Sequence, residues 1–155
     1  PATPETFDAW LSRNSNKKST LRSWFASLGE QIVEVRVEGE TRYLLAEHAD
    51  ELAATRPSRA THLLGAFDQF VLGPGTKDTH MLAHEHRPLV SKAAGWIAPV
   101  LTQGGRITGV WEMDDGNLVV SPFPGEQAPP SQVLEDAAAR LAAVHGSVKV
   151  TPRVD

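Results

Sequence analysis

The chain has 155 residues, of which 41% are hydrophobic and 22% are charged, and its formal net charge at pH 7 is −4. This composition is ordinary for a globular protein and allows one domain of average size or two small ones. The sequence has no cysteine, which excludes disulfides, thiolate catalysis and cysteine-ligated zinc. No apolar stretch approaches the roughly 20 residues that span a bilayer. We therefore expect a cytoplasmic protein without membrane contact.

The first predicted helix begins at Thr3. Threonine is a good N-cap residue, and Pro4 suits the first helical position because its fixed φ is already helical. The apolar residues that follow recur at helical spacing on one face, and they are Phe7, Trp10 and Leu11.

A polar turn over residues 13–16 separates this helix from a second one, which is predicted from about Ser19 to Leu28. Asparagine and serine favour turns because their side chains hydrogen-bond the local backbone. Gly29 provides the signal that ends the second helix. The apolar stripe of this helix has the spacing i, i+3, i+4 and i+7 and consists of Leu21, Trp24, Phe25 and Leu28.

An alternating pattern predicts a β-hairpin after the two helices. Val33, Val35 and Val37 alternate with charged residues, which is the period of a half-buried strand. Residues 38–40 form the turn, and residues 41–46 form the returning strand. Helix, turn, helix and hairpin are the second part of a winged helix, in which the hairpin is the wing. Because a winged helix normally has another helix in front, we interpret the sequence as a fragment of a longer protein.

The sequence then changes character at a linker. A short helix is predicted over residues 48–55, and Arg56-Pro57-Ser58 follows it. Proline disfavours helix at the preceding residue and breaks the periodicity. We therefore expect a partial winged-helix domain over residues 1–57 and a second domain over residues 58–155.

The second domain is predicted to alternate short strands with two helices. Gly104-Gly105 and Asp115-Gly116 are turn sequences that join strands as hairpins. The predicted fold class is thus α+β, the C-terminal part of a winged helix followed by a small antiparallel β-barrel-like module with flanking helices. The predicted strands cover residues 63–72, 95–102, 106–113, 117–123 and 147–154, and the predicted helices cover residues 79–90 and 132–144.

Four stretches of the chain carry a family resemblance. They comprise residues 2–7 with Trp10; residues 28–30 with 33–35 and Gly39; residues 63–64 with 67–68 and 72–73; and residues 86–87, 95–97, 99–100 and 105–106 with 109–111. In these stretches the chain resembles the bacterial winged-helix DNA-binding domain family that includes the AlkZ/YcaQ-type DNA glycosylases, which unhook interstrand crosslinks. The resemblance extends over nearly the whole chain, and its last stretch is the most specific.

The resemblance implies a C-terminal winged helix packed on a β-barrel-like module. It also implies a longer parent protein whose catalytic glutamine motif lies N-terminal to these residues. The glutamines of this chain are scattered, and no Q-x-Q or Q-x-D pair occurs. We therefore expect no catalytic residue, metal or cofactor in this chain by itself, and glycosylase activity on alkylated or crosslinked DNA only in the full-length parent.

Six basic residues are candidate contacts to double-stranded DNA. Four of them precede or begin the second helix without an acid among them, at the position where helix-turn-helix proteins contact DNA. The other two lie on the wing between acidic residues, which repel phosphate. The candidates are Arg13, Lys17, Lys18, Arg22, Arg36 and Arg42.

Because the net charge is negative, we expect DNA binding to be weak, non-specific and centred on Lys17, Lys18 and Arg22. One alternative is a structural or protein-interaction module that packs on the upstream domains of the parent without contacting DNA. A second alternative is that the barrel binds a small molecule.

Three histidines raise the question of a metal site. His80 and His84 are four residues apart and would lie on one face of a helix, where a third ligand could complete a zinc site. No H-E-x-x-H motif accompanies them. We interpret these two and His86 as polar surface residues or as hydrogen-bonding groups at the end of the barrel.

Three further residues have both a functional and a structural interpretation. Asp68 follows an apolar run, and we expect it to be a buried anchor paired with Arg87 or Arg106, because buried carboxylates need partners. Trp96 and Trp111 could stack on nucleobases. A tryptophan in a strand more often lies in the core, and that is our expectation for both.

Overall fold

A computed structural model of the chain describes residues 1–114, 117–145 and 153–154. The chain divides into two compact units, Pro1–Arg56 and Pro57–Asp155. In the described residues each unit contains one β-sheet. No helix in this part of the chain is both long and apolar enough to cross a membrane.

The first unit has the predicted order of helix, turn, helix and hairpin. Its two strands pair antiparallel over their whole length, and a short helix follows them. This confirms the second part of a winged helix. The elements are α1 (Pro4–Ser12), α2 (Lys18–Leu28), β1 (Ile32–Val37), β2 (Glu40–Leu45) and α3 (Ala49–Ala54).

Helix α1 begins where the sequence predicts. The backbone N–H of Thr6 donates to the hydroxyl of Thr3 at 3.1 Å, and the N–H of Thr3 donates to the hydroxyl of Thr6 at 2.9 Å. This reciprocal capping satisfies two N–H groups that the first helical turn leaves free. Pro4 occupies the first helical position, as expected.

A row of aromatic rings joins the helices to the wing. The ring centroids of Phe7 and Phe25 are 5.8 Å apart, and those of Phe25 and Tyr43 are 5.2 Å apart, both close to edge-to-face. Tyr43 also exchanges two backbone hydrogen bonds with Ala2, at 2.8 and 2.9 Å. The wing is therefore held both by α2 and by the segment in front of α1.

The second unit is built on an open five-stranded sheet of order β3-β4-β5-β6-β7. Its first four strands pair antiparallel, whereas the short β7 pairs parallel to β6. Two longer strands and one long helix lie close to their predicted positions. The elements are β3 (Thr61–Leu64), α4 (Gln69–Leu72), α5 (Arg87–Val90), β4 (Val100–Gln103), β5 (Arg106–Asp114), β6 (Asn117–Pro122), α6 (Ser131–His145) and β7 (Arg153–Val154).

The described strands do not close into a barrel, so the barrel-like prediction is too specific. The sheet is covered on both faces instead, because two separate apolar clusters form around it. One includes Leu134 and Ala138 of α6, packed with Trp111. The other includes Val71 and Val90, which come from the connections between strands. A sheet with two covered faces buries its side chains without closing.

Three predicted segments of the second unit are wrong. Residues 63–72 are not one strand, because β3 ends at Leu64 and the side chain of Asp68 caps the short helix α4. Residues 79–90 are not one helix. Residues 79–83 form turns, a 3₁₀ turn covers His84–His86, and only α5 is α-helical.

The third segment is residues 95–102, where the strand begins only at Val100. A 3₁₀ turn at Ala93–Gly95 precedes it, with Ala94 in the left-handed region at φ 57°. The predicted turn at Asp115-Gly116 and most of the predicted strand over residues 147–154 lie outside the described residues.

Candidate nucleic-acid interface

The turn between α1 and α2 is fixed by a buried carboxylate. Asp8 accepts hydrogen bonds from the hydroxyl of Ser12 and, at 2.7 Å, from the side-chain amide of Asn16. The bond from Ser12, followed by that from Asn16, lowers the pKa of Asp8 below its ordinary value. These bonds hold a turn in which Arg13 and Asn14 both adopt left-handed backbone conformations, with φ of 54° and 62°.

Asp8 was missed by sequence reasoning. Its signal is an acid followed by serine four residues later and by asparagine eight residues later. The first spacing places Asp8 and Ser12 on one face of α1, and Asn16 follows in the turn. A short polar side chain next to a turn is easily interpreted as solvated. Only the packing of the turn shows that Asp8 is buried.

This turn places the four clustered cations at the start of α2. Lys17 is the N-cap residue of α2, and Lys18 is its first helical residue. Lys18 and Arg22 are four residues apart and therefore share a face of the helix. Arg13 lies in the turn itself. All four side chains are exposed, and none of them forms an ion pair with the residues that the structure describes.

The local field at this end of α2 is positive. The first turn of α2 contains no acidic residue, and Lys17 provides no side-chain cap. Helix N-termini carry a partial positive charge and free N–H groups, so acidic or hydroxyl side chains are normally preferred there. Cations at this position cost some helix stability. They add to the field of the helix dipole and create a surface that attracts anions.

Within the first unit, most of the surface of α2 is exposed and can contact a ligand. Leu21 is the one fully buried residue of this helix. Ser19 and Ser23 are exposed next to Lys18 and Arg22. Hydroxyl, ammonium and guanidinium groups are the donors that proteins use most often to contact phosphate oxygens.

The wing offers less to a phosphate than α2 does. The guanidinium of Arg42 pairs with Glu40 at 3.0 Å, and this side chain is only 13% exposed. Its Nε has no hydrogen-bond partner among the described residues. Arg36 is exposed and donates to the hydroxyl of Thr41 at 3.2 Å. Of the two wing candidates, Arg36 alone has a guanidinium that a DNA backbone could reach without rearrangement.

A groove of about 400 Å³ is lined by residues of α2 and of the wing. Arg22 lies on one side of it and Glu34 on the other, and Glu34 accepts a hydrogen bond from the hydroxyl of Tyr43 at 3.4 Å. A groove with one cation and one carboxylate has no strong preference for an anion. The phosphate-binding character therefore belongs to the start of α2 rather than to this groove.

The three histidines do not converge. His80 lies in a turn, where its backbone N–H donates to the carboxylate of Asp78 at 2.9 Å. The prediction that His80 and His84 share one face of a helix is therefore wrong. The ring of His86 packs on Phe123 with centroids 4.5 Å apart. Within the described residues no three His, Asp or Glu side chains are placed to hold a metal.

Asp68 is not an anchor for an arginine. Its carboxylate accepts a hydrogen bond from the backbone N–H of Phe70 at 2.8 Å and thereby caps α4. Arg87 donates instead to the hydroxyl of Thr76, at 3.3 Å. Arg106 donates to the backbone carbonyl of His80, at 3.1 Å. Both arginines thus stabilise loops.

The two tryptophans of the second unit have different environments. Trp111 lies in the core, as predicted, and its indole N–H donates to the carbonyl of Leu64 at 2.9 Å. Trp96 was predicted to be a core residue and is not one, because it is 52% exposed. It precedes β4 instead of belonging to it.

Comparisons with known proteins agree on one family. The family model described as DNA glycosylase AlkZ-like matches residues 1–144. A Streptomyces sahachiroi protein described as an interstrand DNA cross-link repair glycosylase is 52% identical over 154 residues, which are 99% of this chain and 42% of that protein. The solved structure of Streptomyces sahachiroi DNA glycosylase AlkZ is similar with a TM-score of 0.97 over 100% of this chain and 42% of that one. The chain therefore spans less than half the length of the relatives it matches.

Proposed function

Because the chain belongs to the AlkZ-like DNA glycosylase family, we propose that it is a duplex-DNA-binding module of a longer DNA-repair protein. The observation that carries this proposal is the cationic surface at the start of α2, formed by Arg13, Lys17, Lys18 and Arg22. Hereafter it is called the α2 cationic surface. Its side chains are exposed, and they lie at the N-terminus of α2, which carries the positive end of the helix dipole.

The chemistry of this surface suits phosphates better than a specific base sequence. Lysine and arginine neutralise backbone charge and release counterions, and this contribution to affinity does not depend on sequence. The net charge of the chain is −4, so no long-range field steers it to DNA. With four phosphate contacts, a dissociation constant of about 10⁻⁴ to 10⁻⁶ M is expected for non-specific binding at physiological salt.

The comparisons support a division of labour within a longer parent protein. The relative described as a cross-link repair glycosylase is more than twice as long as this chain, which covers 42% of it. We assign to this chain the holding of duplex DNA, and to the rest of the parent the cleavage of glycosidic bonds in damaged DNA. The upstream domains are then its covalent partners, and bacterial DNA in the cytoplasm is its ligand.

The direct test is the affinity of the chain for a labelled random-sequence duplex, measured by fluorescence anisotropy at low salt. We expect Lys17→Ala/Lys18→Ala/Arg22→Ala to weaken binding at least tenfold, because three phosphate contacts are lost at once. The matched control is Arg56→Ala/Arg59→Ala/Lys77→Ala, which removes three exposed cations elsewhere. It changes the net charge by the same amount and should retain most of the affinity. Equal affinity of the wild type and the first variant would contradict the proposal.

A second candidate function is protein interaction, and one observation favours it. Trp10 and Leu11 of α1 are 55% and 53% exposed, and Trp24 of α2 is 42% exposed. Large apolar side chains in such number on two neighbouring helices are typical of a contact surface. If the chain binds no duplex at any salt concentration, this second function is favoured over the first.

A further inference from the structure

Two aromatic rings of the second unit are exposed and in contact with each other. Phe67 is 42% exposed and Trp96 is 52% exposed. Their ring centroids are 5.1 Å apart with an interplanar angle of 86°, which is the edge-to-face geometry that aromatic pairs prefer. The pair therefore presents apolar ring surface to solvent.

The backbone on both sides of this pair is strained. Phe67 has a φ of 58°, which is rare for a bulky side chain, and Ala94 has a φ of 57°. Trp96 ends a tight loop that is closed by two hydrogen bonds. The N–H of Lys92 donates to the carbonyl of Trp96 at 2.8 Å, and the N–H of Trp96 donates to Ala93 at 3.3 Å. Strained residues cluster at ligand-binding sites, where they fix a side chain in place.

A notch of about 260 Å³ lies beside Trp96. Its lining includes Trp111, whose indole N–H is held by its hydrogen bond to the carbonyl of Leu64. Lys92 and Glu112 line it and are exposed. Sites for drug-sized ligands occupy roughly 300 to 1,000 Å³, so this notch fits one flat ring system rather than a larger molecule.

We propose that the notch and Trp96 form a stacking site for one unpaired nucleobase of DNA. Indole faces stack on any base. The ammonium of Lys92 can approach the flanking phosphate, and the carboxylate of Glu112 can accept from the N–H groups of the base edge. This combination of rings, one cation and one acceptor corresponds to a nucleotide. The inference rests on the proposed DNA-binding function and adds a preference for unpaired positions.

The test compares two duplexes that differ only in whether one 2-aminopurine is paired or bulged. We expect the chain to bind the bulged duplex roughly 5- to 150-fold more tightly, the range that stacking of one base on an aromatic side chain supplies. Trp96→Ala should abolish the difference, whereas Trp96→Phe should retain most of it. Phe70→Ala is the matched control, since Phe70 is an exposed aromatic residue of the same unit outside the pair.

The outcomes separate this inference from the proposed function. If the wild type binds both duplexes equally, or if Trp96→Ala keeps the preference, the stacking site is refuted while duplex binding by the α2 cationic surface can still hold. In that case a protein segment is the remaining candidate ligand of the aromatic pair. Binding of a single strand that carries 2-aminopurine tests the opposite case, in which the stacking site is present but the chain does not bind duplex DNA. If the wild type quenches the fluorescence of the 2-aminopurine in this strand, Trp96→Ala does not, and no duplex binds, the stacking site holds and the proposed function fails.

Discussion

Replacing Gly109 by alanine tests the packing of the central sheet. Gly109 lies in β5, the middle strand of five, and is buried. A Cβ atom at this position would lie 2.7 Å from the carbonyl oxygen of Ser121 and 3.0 Å from the Cα of Pro122. Both neighbours are backbone atoms of β6. The shorter distance is 0.7 Å below the 3.4 Å at which ordinary contact begins, so β5 and β6 must move apart.

The cost follows from the position of this contact. Overpacking a filled site costs about 1 to 3 kcal/mol, and the upper end applies because apolar clusters lie on both faces of the sheet. Alanine has less conformational freedom than glycine in the unfolded chain, and this difference stabilises the folded state by about 0.5 to 1 kcal/mol. We therefore expect Gly109→Ala to lower the free energy of unfolding of the second unit by about 2 kcal/mol.

Urea unfolding followed by tryptophan fluorescence measures this loss. Trp111 reports the second unit alone when the exposed Trp10, Trp24 and Trp96 are replaced by phenylalanine. The matched control is Gly65→Ala, because a Cβ at Gly65 meets nothing within 4 Å. We expect the control to raise the free energy of unfolding by about 0.5 to 1 kcal/mol, because only the effect on the unfolded chain remains. A Gly109→Ala midpoint equal to that of the control would refute the argument.

Two further predictions concern the turn between α1 and α2. Arg13→Gly should raise the free energy of unfolding by about 1 kcal/mol, because a left-handed φ of 54° is unfavourable for a residue with a side chain and not for glycine. It should also weaken duplex binding, because one cation is removed. Urea unfolding measures the first effect and fluorescence anisotropy the second, and a loss of stability would contradict the first. Because the pKa of Asp8 is lowered, its contribution to stability is present above the ordinary carboxyl pKa and is lost as pH falls through the lowered value. Asp8→Asn should therefore flatten the decline of stability in acid, and an unchanged acid decline would show that Asp8 is not responsible for it.

The first unit could be predicted from sequence because its signals are local. The start of α1 follows from Thr3 and Pro4, whose preferences act within one helical turn. Strand β1 follows from an alternation with a period of two residues, and it ends at Val37, directly before the predicted turn. The cluster of cations could be placed at the start of α2 because it needs only the position of one helix boundary.

The second unit was harder because its apolar residues serve two faces of one sheet. The run over residues 63–72 is nearly continuous in apolar character, and no period shows that the chain turns at Phe67. The exposure of Trp96 has the same origin, since an apolar residue in an apolar run gives no sign that it points outward. The orientation of Arg42 depends on the packing of its hairpin within the unit.

The salt dependence of duplex affinity tests most directly whether the α2 cationic surface binds DNA. For the wild type, four phosphate contacts predict a slope of about −3.6 in a plot of log association constant against log salt concentration. The variant Lys17→Ala/Lys18→Ala/Arg22→Ala should have a slope of about −0.9, because one contact remains. If the slopes of the two proteins are equal, the cations at the start of α2 do not contact DNA and the account is contradicted.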